Sequence, residues 1–199
     1  MISFSEHFLL HMTANQPIKI QNALISVSDK TGLDELAKQL IAYQINLIST
    51  GGTATYLREH QCEVTDVSTI TGFPEMMDGR VKTLHPLIYA GLLNRPNVDE
   101  DILEEYSITN IDLVIVNLYP FERTVSTDGC NEAMAIENID IGGPSMIRAT
   151  AKNYHTKTIL TDPDDYETLK TELTNNQGCV SFTLRKQLAL KAFGYTASY

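Results

Sequence analysis

Ala23-Leu-Ile-Ser-Val27, Ser28-Asp-Lys-Thr-Gly32, Leu33 to Ile41, then Ile45-Asn-Leu-Ile-Ser49 and Thr50-Gly-Gly-Thr53 form the run on which the fold reading turns. The first block is short, apolar and β-rich, and a polar loop bounds it, as expected of a buried strand. In the second, Leu33, Leu36, Ala37, Leu40 and Ile41 recur at helical spacing on one face. A second apolar strand follows and ends in a glycine turn that leads into another helix through Tyr56 and Leu57. Strand, helix, strand and helix in this order predict an α/β fold with three layers and a mainly parallel central sheet. In such sheets ligands gather beyond the carboxyl ends of the strands, where both polar loops lie.

Further along, Cys62 to Val67 reads as a third strand and Asp99 to Glu105 as an acidic, solvated helix. Ile111 to Val116 reads as the most strongly apolar strand, with Asn117-Leu-Tyr-Pro-Phe121 at its carboxyl end. Lys157 to Leu160 reads as another strand. Asp162 caps a helix that Pro163 begins, and Leu184, Leu188, Ala192 and Tyr195 mark a final one. No repeat or linker divides the chain, so residues 21–199 are expected to form one domain, preceded by a loosely ordered extension over residues 1–20.

The chain has 199 residues and a net charge of −10. That balance disfavours nucleic acid or an anionic membrane as partner, since either would need a basic face. It leaves room for a small anionic ligand, because a few lysines in a cleft set the local sign. No run reaches the length of a membrane span. The patch Phe8-Leu-Leu10 has neither the basic start nor the cleavage site of a signal peptide. Three scattered cysteines and five dispersed histidines show no disulfide or metal spacing, which fits a reducing cytoplasm and no metal.

Four stretches can carry chemistry. Thr50-Gly-Gly-Thr53 at a strand–helix junction offers bare N–H groups and hydroxyls to a phosphate, although the glycines also serve the turn itself. Ser26, Ser28 and Lys30 add polarity beside it. In Arg80-Val-Lys-Thr-Leu-His-Pro86, an extended backbone would turn Arg80 and Lys82 to one side as a cationic pair. His85 reads as a structural histidine, and Tyr119 stands at the mouth of the Ile111–Val116 strand. In Glu137 to Asn153, Asp140 precedes Gly142-Gly143, and Pro144 suits the first turn of a helix. Met146, Ile147 and Thr150 face inward there, leaving Arg148 and Lys152 on another face. A helix N-terminus behind two glycines suits an anion or a developing oxyanion.

Taken together and in order, Ser26 to Gly32, Ser49 to Thr53, Arg80 to Pro86, Asn117 to Phe121 and Glu137 to Asn153 closely resemble the N-terminal, inosine monophosphate cyclohydrolase domain of the bifunctional purine biosynthesis (PurH) family. The resemblance runs from about Gln21 to the last residue. It implies a methylglyoxal-synthase-like fold and a cytoplasmic homodimer. The implied substrate is a purine-precursor nucleotide, the 5-formamido-imidazole-4-carboxamide ribotide, which closes to inosine monophosphate and water without a metal or organic cofactor. By similarity, Asp140 is the base, and the N–H groups of Ile141, Gly142 and Gly143 meet the formyl oxygen. Lys82, Tyr119 and Lys152 position that group and move protons. Ser28, Lys30, Thr50, Gly51, Gly52, Thr53, Arg80, Thr83 and Asn117 hold the phosphate, ribose and remaining polar groups. Lys152 lies eight residues beyond Pro144, about 12 Å of ideal helix, so it reaches Asp140 only if the helix bends or the ligand bridges them. Full-length relatives carry a second, larger formyl-transferring domain with no counterpart in this sequence. Two other readings share the fold: a non-catalytic nucleotide-sensing module, which has no use for Asp140, Lys82 and Lys152 together, and methylglyoxal synthase, against which the Asn117 to Phe121 stretch speaks.

Overall fold

A computed structural model describes residues 16–199, so residues 1–15 of the expected extension lie outside the described residues. In chain order the strands are β1 (Ile18–Lys19), β2 (Asn22–Val27), β3 (Asn46–Ser49), β4 (Thr65–Asp66), β5 (Leu113–Asn117), β6 (Thr158–Leu160) and β7 (Cys179–Val180). The helices are α1 (Leu33–Ala42), α2 (Gly51–Glu59), α3 (Val67–Thr71), α4 (Pro86–Leu93), α5 (Glu100–Glu105), α6 (Phe121–Val125), α7 (Glu132–Glu137), α8 (Gly142–Lys152), α9 (Tyr166–Asn175) and α10 (Phe182–Ser198). Strands β2 to β6 form one parallel sheet in the order β4-β3-β2-β5-β6, and β1 pairs with β7 in a separate antiparallel ribbon. Ile18 and Lys19 fall within the stretch read as an extension, yet they are tied into this ribbon.

Alternation along the buried strands divides the core in two. Ala23, Ile25, Val27, Leu113 and Ile115 point to the layer of α1, α2 and α9, packing on Leu36, Leu40, Leu57 and Leu169. Leu24, Val114, Val116 and Ile159 point to the layer of α4, α8 and α10, against Ile88, Met146, Ile147 and Ala192. Period-two side chains covered on both faces explain why these strands read as continuous apolar runs. This is the three-layer α/β architecture expected. The third strand is shorter than expected, because β4 holds only Thr65 and Asp66 at the sheet edge. Helix α5 buries none of its residues, consistent with a solvated acidic face.

The chain runs outward from β2 through β3 to β4, then returns to place β5 on the other side of β2. That reversal opens a crevice at the carboxyl ends of β2 and β5. Their parallel register sets Val27 opposite Asn117, so the loops that follow begin side by side.

At the opposite end of the sheet lies a buried polar network that the sequence did not signal. The Asp112 carboxylate accepts from the N–H groups of Gln21 and Asn22 at 2.9 and 3.0 Å. Lys157 is 1% exposed and donates to the Gly91 carbonyl at 2.9 Å and to the side chain of Asn110. Burial pushes the Lys157 ammonium down to about 8, and the nearby Asp112 charge opposes that shift. The fully buried Arg185 guanidinium donates to the carbonyls of Tyr154, Val180, Gln16 and His155, pinning β7 and the loop after α8. Removing the Lys157 ammonium leaves the Gly91 carbonyl and the Asn110 side chain short of a buried donor and takes away the positive charge near Asp112. Lys157→Met is therefore expected to destabilise the fold by about 3 kcal/mol, read as a lower urea midpoint with an unchanged slope.

Candidate functional site

Two short helices start at the crevice, and their first residues form its walls. Helix α2 follows β3 directly, with Thr50 as its N-cap in an extended conformation and Gly51 at φ 55°. A left-handed residue in this tight strand-to-helix turn favours glycine. The hydroxyl of Thr53 does not cap α2. It accepts from the Val27 N–H and donates to the Val27 carbonyl, both at 3.1 Å, which ties the helix to the end of β2.

The loop after β2 is held from the neighbouring strand. The Asn117 side-chain oxygen accepts from the N–H groups of Ser28 at 2.7 Å and Asp29 at 2.8 Å, and its amide donates to the Asp29 carbonyl at 2.9 Å. Asn117 was expected to touch ligand. It lines the cavity, with its oxygen and one amide N–H committed to this backbone and a second amide N–H left over.

Helix α8 begins two residues earlier than expected for a Pro144 start, with Gly142 and Gly143 in its first turn. The Asp140 carboxylate accepts from the Gly143 N–H at 2.7 Å, acting as a cap. That N–H is consequently not free as an oxyanion donor, contrary to the sequence reading. An added Cβ on Gly143 would lie 2.5 Å from Leu118 Cδ2 and 2.6 Å from Asp140 Oδ2, so only glycine allows this approach. Burial raises the Asp140 carboxyl above the usual carboxylate range. The N–H groups of Gly143 and Tyr119 and the charge of Lys82 pull against the shift without cancelling it.

One cavity of about 200 Å³ joins these parts. Ser26, Val27, Ser28, Lys30, Thr50, Gly52, Thr53, Lys82, Thr83, Asn117, Tyr119, Asp140, Gly142, Gly143 and Met146 line it. The expected phosphate loop and the expected base thus share one space. A larger open cleft of about 960 Å³ adjoins it through Ser28, Asn117 and Tyr119, and runs on past Asp162, Lys191, Tyr195 and Tyr199. A site of nucleotide size spans several hundred cubic ångströms, so the small cavity needs a share of the cleft to hold one.

Four expected residues are not brought into the lining. Lys152 is the last residue of α8 and is exposed, because Met146, Ile147 and Thr150 turn the opposite face of the helix to the core. Arg80 pairs with Glu137. The segment around it is a tight 3-10 turn over Met77–Gly79 with Arg80 itself helical, not the extended chain expected, so Arg80 and Lys82 do not act as one pair. Ile141 is exposed at the N-cap of α8. Gly51 sits behind Lys82, whose Nζ lies 3.1 Å from where its Cβ would be.

Several residues at the site carried no recognisable signal. Glu75 reaches Thr50 Oγ1 at 3.4 Å and Lys82 Nζ at 4.0 Å. Tyr195 and Tyr199 approach from α10, a helix whose periodicity spoke only of packing. His85, left out as structural, caps α4 by accepting from the Leu87 N–H at 3.2 Å. Among the described residues no group of three or more His, Cys, Asp and Glu gathers as for a metal, and no helix is long and apolar enough to cross a membrane.

Comparison with known proteins agrees with this fold. The family model for the MGS-like domain matches residues 32–145, and that for the AICARFT/IMPCHase bienzyme matches residues 150–199. The bifunctional purine biosynthesis protein PurH of Xylella fastidiosa, strains 9a5c and M12, is 50% identical over 186 residues, 94% of this chain in each case. The chain spans 35% of the length of those relatives, at their N-terminal end. Among solved structures, the crystal structure of ForH superposes with a TM-score of 0.80 at 34% identity, covering 90% of this chain and 94% of that one. The chain therefore belongs to the MGS-like domain family and, over nearly its whole length, matches the N-terminal part of the bifunctional purine biosynthesis protein PurH.

Proposed function

We propose that this chain catalyses the dehydrative closure of 5-formamido-1-(5-phosphoribosyl)imidazole-4-carboxamide to inosine monophosphate, a step of purine biosynthesis. The reading rests on the single cavity lined both by Thr50, Gly52 and Thr53 and by Asp140, Lys82 and Tyr119. Its likeness to PurH, named for purine biosynthesis, supports the same conclusion.

A phosphate at the start of α2 meets free N–H groups, the positive end of the helix and the Thr50 hydroxyl. Lys30 and Lys82 supply the counter-charge in an otherwise acidic chain. From that anchor the imidazole reaches toward Asp140 across the part of the cavity bounded by Tyr119.

Ring closure requires two proton movements. The carboxamide nitrogen bonds to the formyl carbon and loses a proton, and Asp140 is the base in reach. The formyl oxygen becomes a hydroxyl by taking a proton from Lys82 or Tyr119. The resulting carbinolamine then loses the former formamide N–H proton and expels its hydroxyl as water, with an acid assisting the departure. Asp140 suits the first step because burial leaves it more basic than an ordinary carboxylate while Lys82 keeps the anion accessible. The Gly142 N–H at the start of α8 remains near the oxyanion position, whereas Gly143 N–H is committed to Asp140. Lys152 has no part in this scheme.

Mixing the purified chain with the formamido ribotide should produce the ultraviolet change of ring closure. Tight binding without turnover would point to a sensor, and methylglyoxal from dihydroxyacetone phosphate to the third reading. Asp140→Asn keeps an oxygen for the Gly143 N–H, so it should lower kcat by at least about 100-fold with the thermal midpoint unchanged. An unaltered kcat would remove Asp140 from the mechanism. Because the base must be ionised, the acid limb of kcat/KM should lie above the ordinary Asp value of 3.8. Lys82→Met removes the nearby positive charge and should move the Asp140 carboxyl higher still, as followed by carbon NMR across a pH titration.

A further inference from the structure

The two loops carrying Tyr119 and Asp140 belong to different elements, and one direct link joins them, the Asp140 carboxylate accepting from the Tyr119 N–H. Both are also held by the C-terminal end of α10, through Tyr195 and through Tyr199 just beyond the helix. The Leu118 N–H donates to the Tyr195 hydroxyl at 3.0 Å. The Asp140 N–H donates to the Tyr199 hydroxyl at 2.9 Å, and that hydroxyl in turn donates to the Asn138 carbonyl at 3.3 Å. Tyr195 lies in the last turn of α10 and Tyr199 is the residue that follows the helix, so the C-terminal end of α10 presents both hydroxyls. Leu118 lies just past the end of β5, and Asp140 just before the start of α8. Backbone amides at such ends have outrun their ladder or helix acceptors and need a partner from elsewhere.

We propose that Tyr195 and Tyr199 are positioning residues for the ring closure put forward above, setting the distance between Tyr119 and Asp140 by gripping the backbone beside each. The proposal rests on that functional reading. The base of the clamp is firm, because Tyr195 packs beside the buried Ala189 and Ala192 on the core side of α10. Tyr195 also lines the large cleft together with Tyr199, so the clamp forms the wall between the cleft and the catalytic loops. The two hydroxyls hold main chain and make no demand on the side chains of Tyr119 and Asp140, both of which line the cavity. Burial pushes the Tyr195 hydroxyl upward, which keeps it neutral and able to accept at ordinary pH.

The clamp also governs how dry Asp140 is. The titratable groups that act on that carboxyl are Lys82 from the turn before α4, Tyr89 from α4 and Tyr195 from α10, while the Tyr199 hydroxyl meets the Asp140 backbone N–H. The raised pKa of Asp140 comes from burial, so a shift of its backbone that exposes the carboxyl further moves that pKa down toward the ordinary value.

Tyr195→Phe and Tyr199→Phe keep both rings and delete only the hydroxyls. Each should lower kcat about five- to tenfold, equivalent to about 1 to 1.4 kcal/mol on the barrier, with KM within about twofold. Tyr199→Phe should also shift the acid limb of kcat/KM to lower pH. Amide exchange at Leu118 and Asp140, followed without substrate, should accelerate in the corresponding variant. Variants that match an active wild type in kcat and acid limb would overturn the proposal, as would a loss carried by KM or by thermal stability alone. A wild-type chain that never closes the ring would overturn the functional reading, and the positioning role with it. The two amide exchange rates would then decide separately whether the clamp exists.

Discussion

The parallel pairing of β2 with β5 is the constraint from which the rest of the site follows. It brings together strands separated by more than eighty residues of chain and sets Val27 opposite Asn117. Asn117 then commits its side-chain oxygen and one amide N–H to Ser28 and Asp29, so the loop leaving β2 is shaped by the strand beside it. Thr53 performs the same service for the next helix, gripping both polar groups of Val27. The walls of the pocket are therefore main chain held by neighbouring elements, which is why short polar loops keep a definite shape.

Asp140 shows how closely structural and chemical demands can share one side chain. It caps α8 through the Gly143 N–H, and that contact stabilises its ionised form. Burial acts in the other direction and is the larger effect. Lys82 stands between these influences and also meets Glu75, so a cation in an acidic chain is kept at the cavity by acidic neighbours. The absence of a Cβ at Gly143 permits Leu118 and Asp140 to approach the helix start together.

Polar groups at the two ends of the sheet serve opposite purposes. At the amino ends of β2 and β5, Asp112, Lys157 and Asn110 satisfy one another and nearby backbone in a closed network. At the carboxyl ends, hydroxyls, lysines and helix N-termini open onto a cavity. Buried charge is costly unless paired, so the first set must be complete within the fold, whereas the second retains unspent capacity for a ligand.

Much of this was legible before any coordinates. The alternation of apolar strands with helical spacing at Leu33 to Ile41 announced the layers, because period and burial are local properties of sequence. Likewise, Thr50 to Thr53 and Asp140 to Gly143 stood at element junctions where ligand groups belong. What local pattern could not disclose was orientation in irregular chain. Arg80 was expected beside Lys82 on an extended backbone, but a 3-10 turn sends it to Glu137. Lys152 was counted among the catalytic groups, yet the same apolar stripe that predicted α8 turns it outward. The sequence by itself determined the layered α/β fold and the chemical inventory of the pocket. Only the tertiary structure decided which groups meet there, including the Tyr195 and Tyr199 contacts, because those depend on where a helix from the far end of the chain comes to rest against loops it never adjoins in sequence.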